Sequence, residues 1–547
     1  MPATPNSPPL ADALSHTPRP LQFGTSGRRG DVCDLSQLEI YINARAELDY
    51  LQHLPRGQGG LVVGEPFCIA HDLRPSSTQF VASQGARGEI AQAIEQAITD
   101  AGMQPLNLGE IPTPALCAYA IARGLGSMMV TGSHIPFHRN GYKTNSAQGE
   151  LLKTDEAPIA EYVARWRATL YEQPLADSLF DANGRFKTGS RPCTPAQPLA
   201  RQEYLHRFVK FFGANALRPL RVLVYQHSAV GRDLLIEALR SLGAEAMPIG
   251  RSETFVPIDT EAIDNATLEN IRALAQAAST NGHTFHAVVS TDGDSDRPLL
   301  IGLGYDADGQ CEAQFYPGDL VGMLVATHLA PDAVVVPISC NDAIDHGALA
   351  TVLEAKTRIG SPYVIAGMLA ARERGAQRIC GWEANGGFLT GSDFRSAHGT
   401  LPALATRDAF LPIMSVLAQM AERQCSMDAL FKRLPARHSR AGLLRECPRA
   451  VSRKVVESFS TDDRAALIKH TAHYFSSNEG FAPLARADYT DGVRLYFENG
   501  DVAHIRPSGN ADELRIYAVA DTQHRADEIV AAALRTPDGI LLRLCER

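Results

Sequence analysis

The sequence predicts an α/β protein of several domains, because short apolar runs alternate with amphipathic helical patterns along most of its length. The apolar runs typical of strands are residues 60–63, 127–130, 221–225, 333–336 and 378–381. The helical patterns between them include residues 90–102, 232–243 and 262–282. This repetition favours parallel sheets built from βαβ units, and 547 residues suffice for about three or four domains.

Shifts in composition indicate where the domains meet. Residues 172–197 are polar and rich in Pro and Gly, and further shifts occur near residues 312–318 and 433–441. After the last shift an Asn-Gly turn joins two apolar runs, which predicts a β-hairpin and an α+β domain. We therefore expect a disordered lead-in at 1–20, α/β domains at 21–197, 198–312 and 313–435, and an α+β domain at 436–547.

Composition narrows the class of protein. The content of 45% hydrophobic and 21% charged residues is that of a globular protein, and no apolar run reaches the about 18 residues of a membrane helix. The net charge of -9, without a block of Lys or Arg, argues against nucleic acid as a partner. The 10 scattered cysteines indicate neither a zinc ribbon nor a disulfide framework, and the first residues lack the pattern of a signal peptide. We expect a cytoplasmic protein.

Three aspartates at alternate positions follow the apolar run 287–289. Asp292, Asp294 and Asp296 would lie in the loop at the carboxyl end of a buried strand, where open α/β sheets bind ligands. Clustered carboxylates need a cation, and hard oxygen ligands favour Mg²⁺ or Ca²⁺. An EF-hand would need Gly at Arg297 and Glu at Leu303, so a calcium-sensor loop is excluded. A solvated turn is the alternative to a metal site.

A serine in a second strand-end loop is a candidate nucleophile. Ser133 follows the apolar run 127–130, with His134 beside it and Lys143 further on. A serine nucleophile needs activation and a positively charged setting, which these side chains could supply. The G-x-S-x-G elbow is absent, which argues against an α/β-hydrolase. The alternative is an ordinary turn before a proline.

A loop near the carboxyl terminus has the donors of a phosphate clamp. Its candidate ligands are Arg506, Ser508, Gly509, Asn510 and Arg515. Arginine forks bind phosphate through two hydrogen bonds, and a loop that contains glycine can direct backbone N–H groups at the same oxygens. The alternative is a solvated basic loop.

Two further loops carry weaker signals. Glu383 and Asn385 lie in a Gly-rich loop after the run 378–381, and a carboxylate beside an amide suits neighbouring sugar hydroxyls. The loop 23–30 is rich in glycine and carries Arg28 and Arg29, which suggests an anionic ligand. Each loop taken alone could be a simple turn.

Together these loops resemble those of the α-D-phosphohexomutase superfamily, from Phe23 to Tyr517 and in the family's order. The family's phosphoserine loop T-A-S-H-N-P, followed by N-G-x-K, is similar to residues 131–143, with Gly132 and Ile135 as departures. Its metal loop D-G-D-G-D-R is similar to residues 292–297, with Ser295 as a departure. Its phosphate loop R-P-S-G-T-E-P-x-x-R is similar to residues 506–515, in which residues 510–512 differ.

The sugar loop departs furthest from the family. The usual pattern G-E-x-S-G-H is replaced by residues 382–387, which keep Glu383 but have Asn385 for serine and Gly387 for histidine. The segment 357–363 resembles the family's other sugar-contact loop, without a histidine. The reaction class implied by the resemblance is unaffected, whereas the fine sugar specificity is not carried over.

The resemblance implies four domains around a central cleft, three similar mixed α/β domains and a C-terminal α+β domain. It implies a phosphoserine at Ser133 and one Mg²⁺ per chain, bound by Ser133, Asp292, Asp294 and Asp296. Arg29, His134 and Lys143 would surround the reacting oxygen, with Lys143 as the proton-transfer group at a lowered pKa. The substrate-binding residues would be Arg297, Glu383, Asn385, Arg506, Ser508, Gly509, Asn510 and Arg515.

The implied reaction interconverts a hexose 1-phosphate and a hexose 6-phosphate through a hexose 1,6-bisphosphate, which also serves as activator. The form of the sugar loop favours phosphomannomutase activity, ahead of phosphoglucomutase and phosphoglucosamine mutase activity. A sugar-phosphate phosphatase and a non-catalytic sugar-phosphate-binding relative are the alternatives outside the mutases. The expected partners are small hexose phosphates, with no nucleic acid and no membrane, for a monomer or weak homodimer.

Overall fold

The computed structural model describes residues 7–261, 263–279, 283–508 and 512–546. Four main β-sheets follow one another along the chain, and helices pack on each of them. The first three sheets are mixed and the fourth is antiparallel throughout. This confirms the predicted fold class, with three mixed α/β units and a C-terminal α+β unit.

The first sheet has the strand order β1-β7-β6-β2-β5, with β8 paired to β7. Its strands are β1 (Arg28–Asp31), β2 (Pro66–His71), β5 (Gln104–Glu110), β6 (Ser127–Val130), β7 (Arg139–Ser146) and β8 (Gly149–Glu150). A separate two-stranded ribbon consists of β3 (Phe80–Val81) and β4 (Arg87–Gly88). The helices are α1 (Leu10–Ala13), α2 (Gln37–His53), α3 (Pro75–Thr78), α4 (Ile90–Asp100), α5 (Thr113–Ile121) and α6 (Glu156–Glu172).

The second sheet has the order β10-β9-β11-β12-β13. Its strands are β9 (Arg221–His227), β10 (Glu245–Arg251), β11 (Ala287–Thr291), β12 (Pro298–Tyr305) and β13 (Cys311–Tyr316). The helices are α7 (Leu199–Phe212), α8 (Arg232–Ser241) and α9 (Asn265–Ala278). All five residues of β11 are buried, as expected for an apolar central strand.

The third sheet has the order β14-β15-β16-β19, beside a small ribbon of β17 and β18. Its strands are β14 (Ala333–Val335), β15 (Ile379–Trp382), β16 (Phe388–Thr390), β17 (Phe394–Arg395), β18 (Thr400–Leu401) and β19 (Leu404–Asp408). The helices are α10 (Gly318–Leu329), α11 (Ser361–Glu373), α12 (Phe410–Arg423) and α13 (Met427–Phe431).

The fourth sheet has the order β20-β24-β23-β22-β21. Its strands are β20 (His438–Arg445), β21 (Leu484–Asp488), β22 (Val493–Phe497), β23 (Val502–Pro507) and β24 (Glu513–Ala520). The helices are α14 (Arg449–Glu457), α15 (Arg464–Tyr474), α16 (Gln523–Leu534) and α17 (Ile540–Cys545). Strands β22 and β23 form the hairpin that the Asn-Gly turn predicts.

The hydrophobic cores follow the same division. One cluster of buried side chains runs through the first three units, from Met129 in the first sheet to Val289 in the second and Trp382 in the third. The fourth unit has its own cluster, which includes Phe459 and Ile516. The first three units are therefore joined by shared apolar packing in addition to clusters of their own, whereas the cluster of the fourth unit is separate.

Four details differ from the sequence-based expectations. Residues 60–63 are not a strand, since Val62 and Val63 are 51% and 63% exposed and the first parallel strand begins at Pro66. The sheets are mixed rather than parallel. The boundary expected at 312/313 falls within β13, which extends the second sheet to Tyr316.

The lead-in is the fourth difference, for the part that the structure describes. Residues 10–13 form α1, Leu10 is fully buried, and its N–H donates to the carbonyl of Gln173 at 2.8 Å. Leu10 belongs to the apolar core of the first unit, so this part of the lead-in is folded although its composition suggested disorder. Among the described residues, no helix has both the length and the apolar character needed to cross a membrane.

Candidate active site

Ser133 lies in the loop between β6 and β7, in a constrained conformation. Its φ is +55°, a left-handed value that is uncommon for a residue with a side chain. Its N–H donates to Thr131 Oγ1 at 2.7 Å, and the buried guanidinium of Arg74 donates to its carbonyl at 3.1 Å. Arg74 also donates to the carbonyls of Pro136 and Arg139. These bonds hold the loop rigidly at the end of the strand.

The Ser133 hydroxyl contacts the metal-loop candidate of the second sheet. Its Oγ donates to Asp292 Oδ2 at 2.5 Å, and His134 Nδ1 lies 3.4 Å from Ser133 Oγ. Two loops predicted separately from the sequence are therefore in direct contact.

The three aspartates follow β11 and form one buried cluster. Asp292, Asp294 and Asp296 each offer an oxygen, and these oxygens lie within 4.8 Å of one another. Ser295, which stands where the family has glycine, adopts a left-handed φ of +59°. Its hydroxyl accepts from the N–H of Gly231 at 3.0 Å, which helps to hold a conformation that glycine adopts at no steric cost.

The aspartates and Lys143 set one another's charge state. Burial, followed by Asp294 and Asp296, raises the pKa of Asp292 well above its usual range. Lys143 Nζ donates to Asp294 at 2.6 Å and to Asp296 at 2.5 Å. Burial by itself would lower the pKa of Lys143, but the two carboxylates raise it. The expected lowered pKa of Lys143 was wrong, because its nearest neighbours are anions rather than cations.

The cluster fits a divalent cation. Within the described part of the chain, Asp294 Oδ1 and Asp296 Oδ1 are buried without a hydrogen-bond partner, which leaves two carboxylate oxygens available in one place. Hard oxygen donors and repelling carboxylates are the chemistry that Mg²⁺ or Ca²⁺ satisfies. These three side chains could hold the ion.

Glu383 and Asn385 lie in the loop after β15, and both are buried at the cleft. Glu383 accepts from Arg407 Nη1 at 2.7 Å. Asn385 Oδ1 accepts from the N–H of Gly387 at 3.0 Å, so this amide oxygen holds the loop. The NH₂ group of Asn385 is then the part that a ligand could engage.

The arginines of the phosphate-clamp candidate are directly opposite each other across β23 and β24, since Arg506 pairs with Arg515. The Nε of each is buried and has no hydrogen-bond partner among the residues that the structure describes. Ser508 lines the same cleft, whereas Gly509 and Asn510 lie outside the described residues. Two arginines at paired positions of neighbouring strands, both lining one cleft, form a suitable site for a phosphate.

Arg29, His134 and Arg297 complete the predicted set in this cleft. Burial lowers the pKa of Arg29 to about 10, and burial followed by Arg297 lowers the pKa of His134 to about 3. The His134 ring is therefore neutral near pH 7. Arg297 Nε lies 3.6 Å from Asp296 Oδ1 and 3.9 Å from Asp292 Oδ2.

Sequence reasoning missed Arg407, which joins the metal cluster to the sugar loop. It is 2% exposed in β19, and its Nε and Nη2 donate to Asp296 Oδ2 at 3.0 and 2.8 Å. A buried arginine needs anionic partners, so an arginine within a short buried strand is the sequence feature that could have indicated this contact. Thr113, whose hydroxyl donates to Asp294 at 2.5 Å, and Glu261, which lines the cleft, were also missed.

One cleft collects side chains from all four units. Its lining includes Arg29, Ser133, His134, Lys143, Glu261, Arg297, Glu383, Asn385, Arg407, Arg506, Ser508 and Arg515. A nucleophile, a carboxylate cluster, hydroxyl-binding groups and paired arginines are thus brought together. The described residues of the predicted site all lie in or against this cleft.

Comparison with known proteins gives a consistent picture. Sequence models of the phosphoglucomutase/phosphomannomutase family match α/β/α domain I at residues 20–169, α/β/α domain III at 317–438 and the C-terminal domain at 452–536. A phosphomannomutase of Sinorhizobium fredii strain NGR234 is 37% identical over 522 residues, covering 94% of this chain and 98% of the relative. A phosphomannomutase of Salmonella muenchen is 35% identical over 514 residues, covering 94% and 95%.

A solved structure shares the fold. The crystal structure of a phosphoglucomutase/phosphomannomutase family protein from Burkholderia thailandensis matches with a TM-score of 0.63 at 18% identity, covering 94% of this chain and 98% of that chain. The matched segments, the full-length relatives and the cleft geometry agree. The chain belongs to the phosphoglucomutase/phosphomannomutase family, within the α-D-phosphohexomutase superfamily.

Proposed function

We propose that the protein is a phosphohexomutase, with phosphomannomutase activity as its main function. The observation that carries this proposal is the contact of Ser133 Oγ with Asp292 Oδ2, in the same cleft as the paired Arg506 and Arg515. A phosphoryl group on the serine would lie beside a cation site, and a sugar phosphate could be held in the same space.

In the forward half-reaction, the 6-hydroxyl of a hexose 1-phosphate attacks the phosphorus carried by Ser133. The new P–O bond forms at the sugar, the P–Oγ bond breaks, and the proton of the 6-hydroxyl ends on Ser133 Oγ. The products are a hexose 1,6-bisphosphate and the free Ser133 hydroxyl. After the bisphosphate turns over in the cleft, Ser133 Oγ attacks the phosphorus at C1, the bond from that phosphorus to the C1 oxygen breaks, and the serine proton ends on the C1 oxygen.

Cationic side chains stabilise the charge that moves in both steps. Lys143 and Arg297 lie beside the aspartates, and Arg29 lines the same cleft as Ser133. Preorganised donors of this kind stabilise the equatorial oxygens of a phosphoryl group in its transition state. We assign Lys143 to the position closest to the transferred group, as a charged donor.

The three aspartates would hold a Mg²⁺ ion together with an oxygen at Ser133. When bound, Mg²⁺ would supply charge neutralisation to the phosphoryl group. Arg407 keeps Oδ2 of Asp296 in place, and Oδ1 of the same carboxylate accepts no hydrogen bond from any residue that the structure describes. The protein therefore orients the ligand oxygens through the third domain.

Two orientations of the sugar require a phosphate grip that accepts either end. Arg506, Ser508 and Arg515 are the residues proposed for that grip, with the loop that contains Gly509 and Asn510. Glu383 and the NH₂ group of Asn385 would hold hydroxyls that both orientations present. Water must be kept away from the phosphoserine for a mutase to work, which a closed cleft favours.

The preference for mannose is supported by the two phosphomannomutase relatives, which are 35% and 37% identical over nearly the whole chain. Phosphoglucomutase activity is the second candidate, and phosphoglucosamine mutase activity the third. Because Gly387 replaces the family's histidine, the amino group or hydroxyl at C2 would meet a different surface in this protein.

A ³¹P NMR time course tests the proposal. Mannose, glucose and glucosamine 1-phosphates are each supplied with Mg²⁺ and a trace of the matching hexose 1,6-bisphosphate as activator. We expect conversion to the 6-phosphate, fastest with mannose, and complete loss of turnover in Ser133→Ala. Release of inorganic phosphate in place of isomerisation would indicate a phosphatase, and folded protein without turnover on any sugar would contradict the proposed reaction.

A further inference from the structure

Two cysteines of the fourth domain lie next to each other near the carboxyl end of the chain. Cys447 precedes α14, Cys545 ends α17, and their Sγ atoms are 3.4 Å apart. Both are free thiols. The residues are 98 positions apart in the sequence, so the fold alone brings them together.

The surroundings suit a pair that reacts together. Cys447 is 3% exposed in the core of the fourth domain, whereas Cys545 is only partly buried at its edge. A disulfide requires the sulfurs to approach from 3.4 Å to about 2.0 Å, and Cys545 belongs to the last turn of a short helix. Burial raises the pKa of Cys545 to about 12, so its thiolate is a minor species near pH 7 and the exchange is faster at alkaline pH.

Cys447 is also joined to the phosphate-binding segment. Its N–H donates to the carbonyl of Asp512 at 3.0 Å, and Asp512 belongs to the phosphate loop, where the description resumes after residue 508. Arg449 Nε lies 3.9 Å from Asp512 Oδ1, and Arg445 pairs with Glu513 between β20 and β24. A displacement of Cys447 would therefore act on the strand that returns from that loop.

We propose that Cys447 and Cys545 form a modification site, at which a low-molecular-weight disulfide produces an intramolecular disulfide that fixes α17 to the segment behind the phosphate loop. The effect on substrate rests on the proposed function, whereas the crosslink does not.

The chemistry is a balanced thiol–disulfide exchange. The more accessible Cys545 thiolate attacks one sulfur of the small disulfide, so a mixed disulfide forms and one small thiolate leaves. Cys447 then attacks Cys545 Sγ, which closes the protein disulfide and releases the second small thiolate. The two protons of the protein thiols end on the two released thiols, and the small disulfide is the oxidant.

The test treats the full-length protein with oxidised glutathione and analyses it by intact mass and non-reduced peptide mapping. We expect the loss of two hydrogens, a peptide that links Cys447 to Cys545, and reversal by dithiothreitol. Cys545→Ser and Cys447→Ser should each abolish the linked peptide, whereas Cys33→Ser, which removes an exposed thiol, should retain it. Absence of the linked peptide, with glutathione attached to exposed cysteines, would overturn the proposal.

Two readouts then separate the crosslink from its effect on substrate. Because the crosslink closes a long segment, the thermal midpoint of the wild type should rise by several degrees on oxidation, and that of Cys545→Ser should not. The KM for the hexose 1-phosphate should rise at least twofold and recover with dithiothreitol. A crosslinked protein with unchanged KM would overturn the link to the phosphate loop, while a protein without mutase activity would still report the crosslink by mass.

Discussion

Arg407 donates two hydrogen bonds to one carboxylate oxygen of Asp296, from Nε at 3.0 Å and from Nη2 at 2.8 Å from Oδ2. The arginine belongs to the third sheet and the aspartate to the metal loop of the second. Both side chains are fully or almost fully buried, so this contact is strongly shielded from solvent. The position of a candidate metal ligand in one domain is therefore determined by a strand of another.

Replacing Arg407 with lysine should impair turnover more than folding. Lysine keeps the charge but cannot bond Asp296 and Glu383 at the same time, because it lacks the planar fork. Loss of one charged hydrogen bond corresponds to about 10–100-fold in kcat/KM. Steady-state kinetics on the preferred hexose 1-phosphate measure this effect.

The controls for this prediction use the same chemistry elsewhere. Arg395→Lys, on the exposed side of β17, should leave kcat/KM unchanged. Arg407→Met should lower the free energy of unfolding by about 3–5 kcal/mol, since the buried carboxylate of Glu383 loses its arginine and Asp296 keeps only Lys143 and Arg297 as cationic neighbours. Equal kinetics for Arg407→Lys and wild type would contradict a role for the bridge in orienting Asp296.

Replacing one candidate metal ligand should weaken the stabilisation of the folded protein by Mg²⁺. In wild type we expect Mg²⁺ to raise the thermal midpoint, because it binds only the folded cluster. Asp292→Asn should weaken binding at least as much as the about 10–100-fold that loss of an outer partner costs. It should also raise the midpoint of the metal-free protein, since Asp292 faces Asp294 and Asp296. Calorimetric titration measures the loss of Mg²⁺ affinity, and thermal scans with and without EDTA measure the change in the midpoint.

The strand-end loops were predictable from the sequence, and the contacts between them were not. Ser133 and Asp292 each follow an apolar run, so their place at a sheet edge could be argued from local pattern. Arg407 and Lys143 act through partners that are distant in the chain, and no spacing rule reports such pairs. The wrong prediction of a strand at residues 60–63 has the same cause. The local β-propensity of these residues does not show that Val62 lies half exposed outside the sheet.

Asp491 connects two domains at the cleft and should influence substrate binding. Its Oδ2 accepts from the N–H of Ile359 at 2.9 Å, and its Oδ1 lies 3.4 Å from Arg506 Nε. Asp491→Asn retains an acceptor for Ile359 but removes the charge beside the arginine. We expect KM to rise by about threefold to tenfold, equivalent to about 1 kcal/mol, with a smaller change in kcat.

The matched control is Glu498→Gln, an exposed carboxylate in the same domain, which should leave KM unchanged. A fall in kcat with constant KM in Asp491→Asn would instead assign Asp491 to the chemical step.

Acid should destabilise the fourth domain through His504. Burial, followed by Arg494, lowers the pKa of His504 to about 3, and its Nε2 donates to the carbonyl of Asp491 at 2.6 Å. Between that value and the ordinary 6.5, the unfolded chain binds a proton that the folded chain does not. Stability from this group is thus complete above about pH 6.5 and is lost as pH falls, by at most about 1.4 kcal/mol per pH unit.

Thermal scans from pH 7 to 4.5 should show a shallower slope of the midpoint against pH in His504→Gln than in wild type, while the same change at exposed His524 should leave the slope unaltered. Parallel slopes for His504→Gln and wild type would mean that His504 titrates in the folded protein as it does in water.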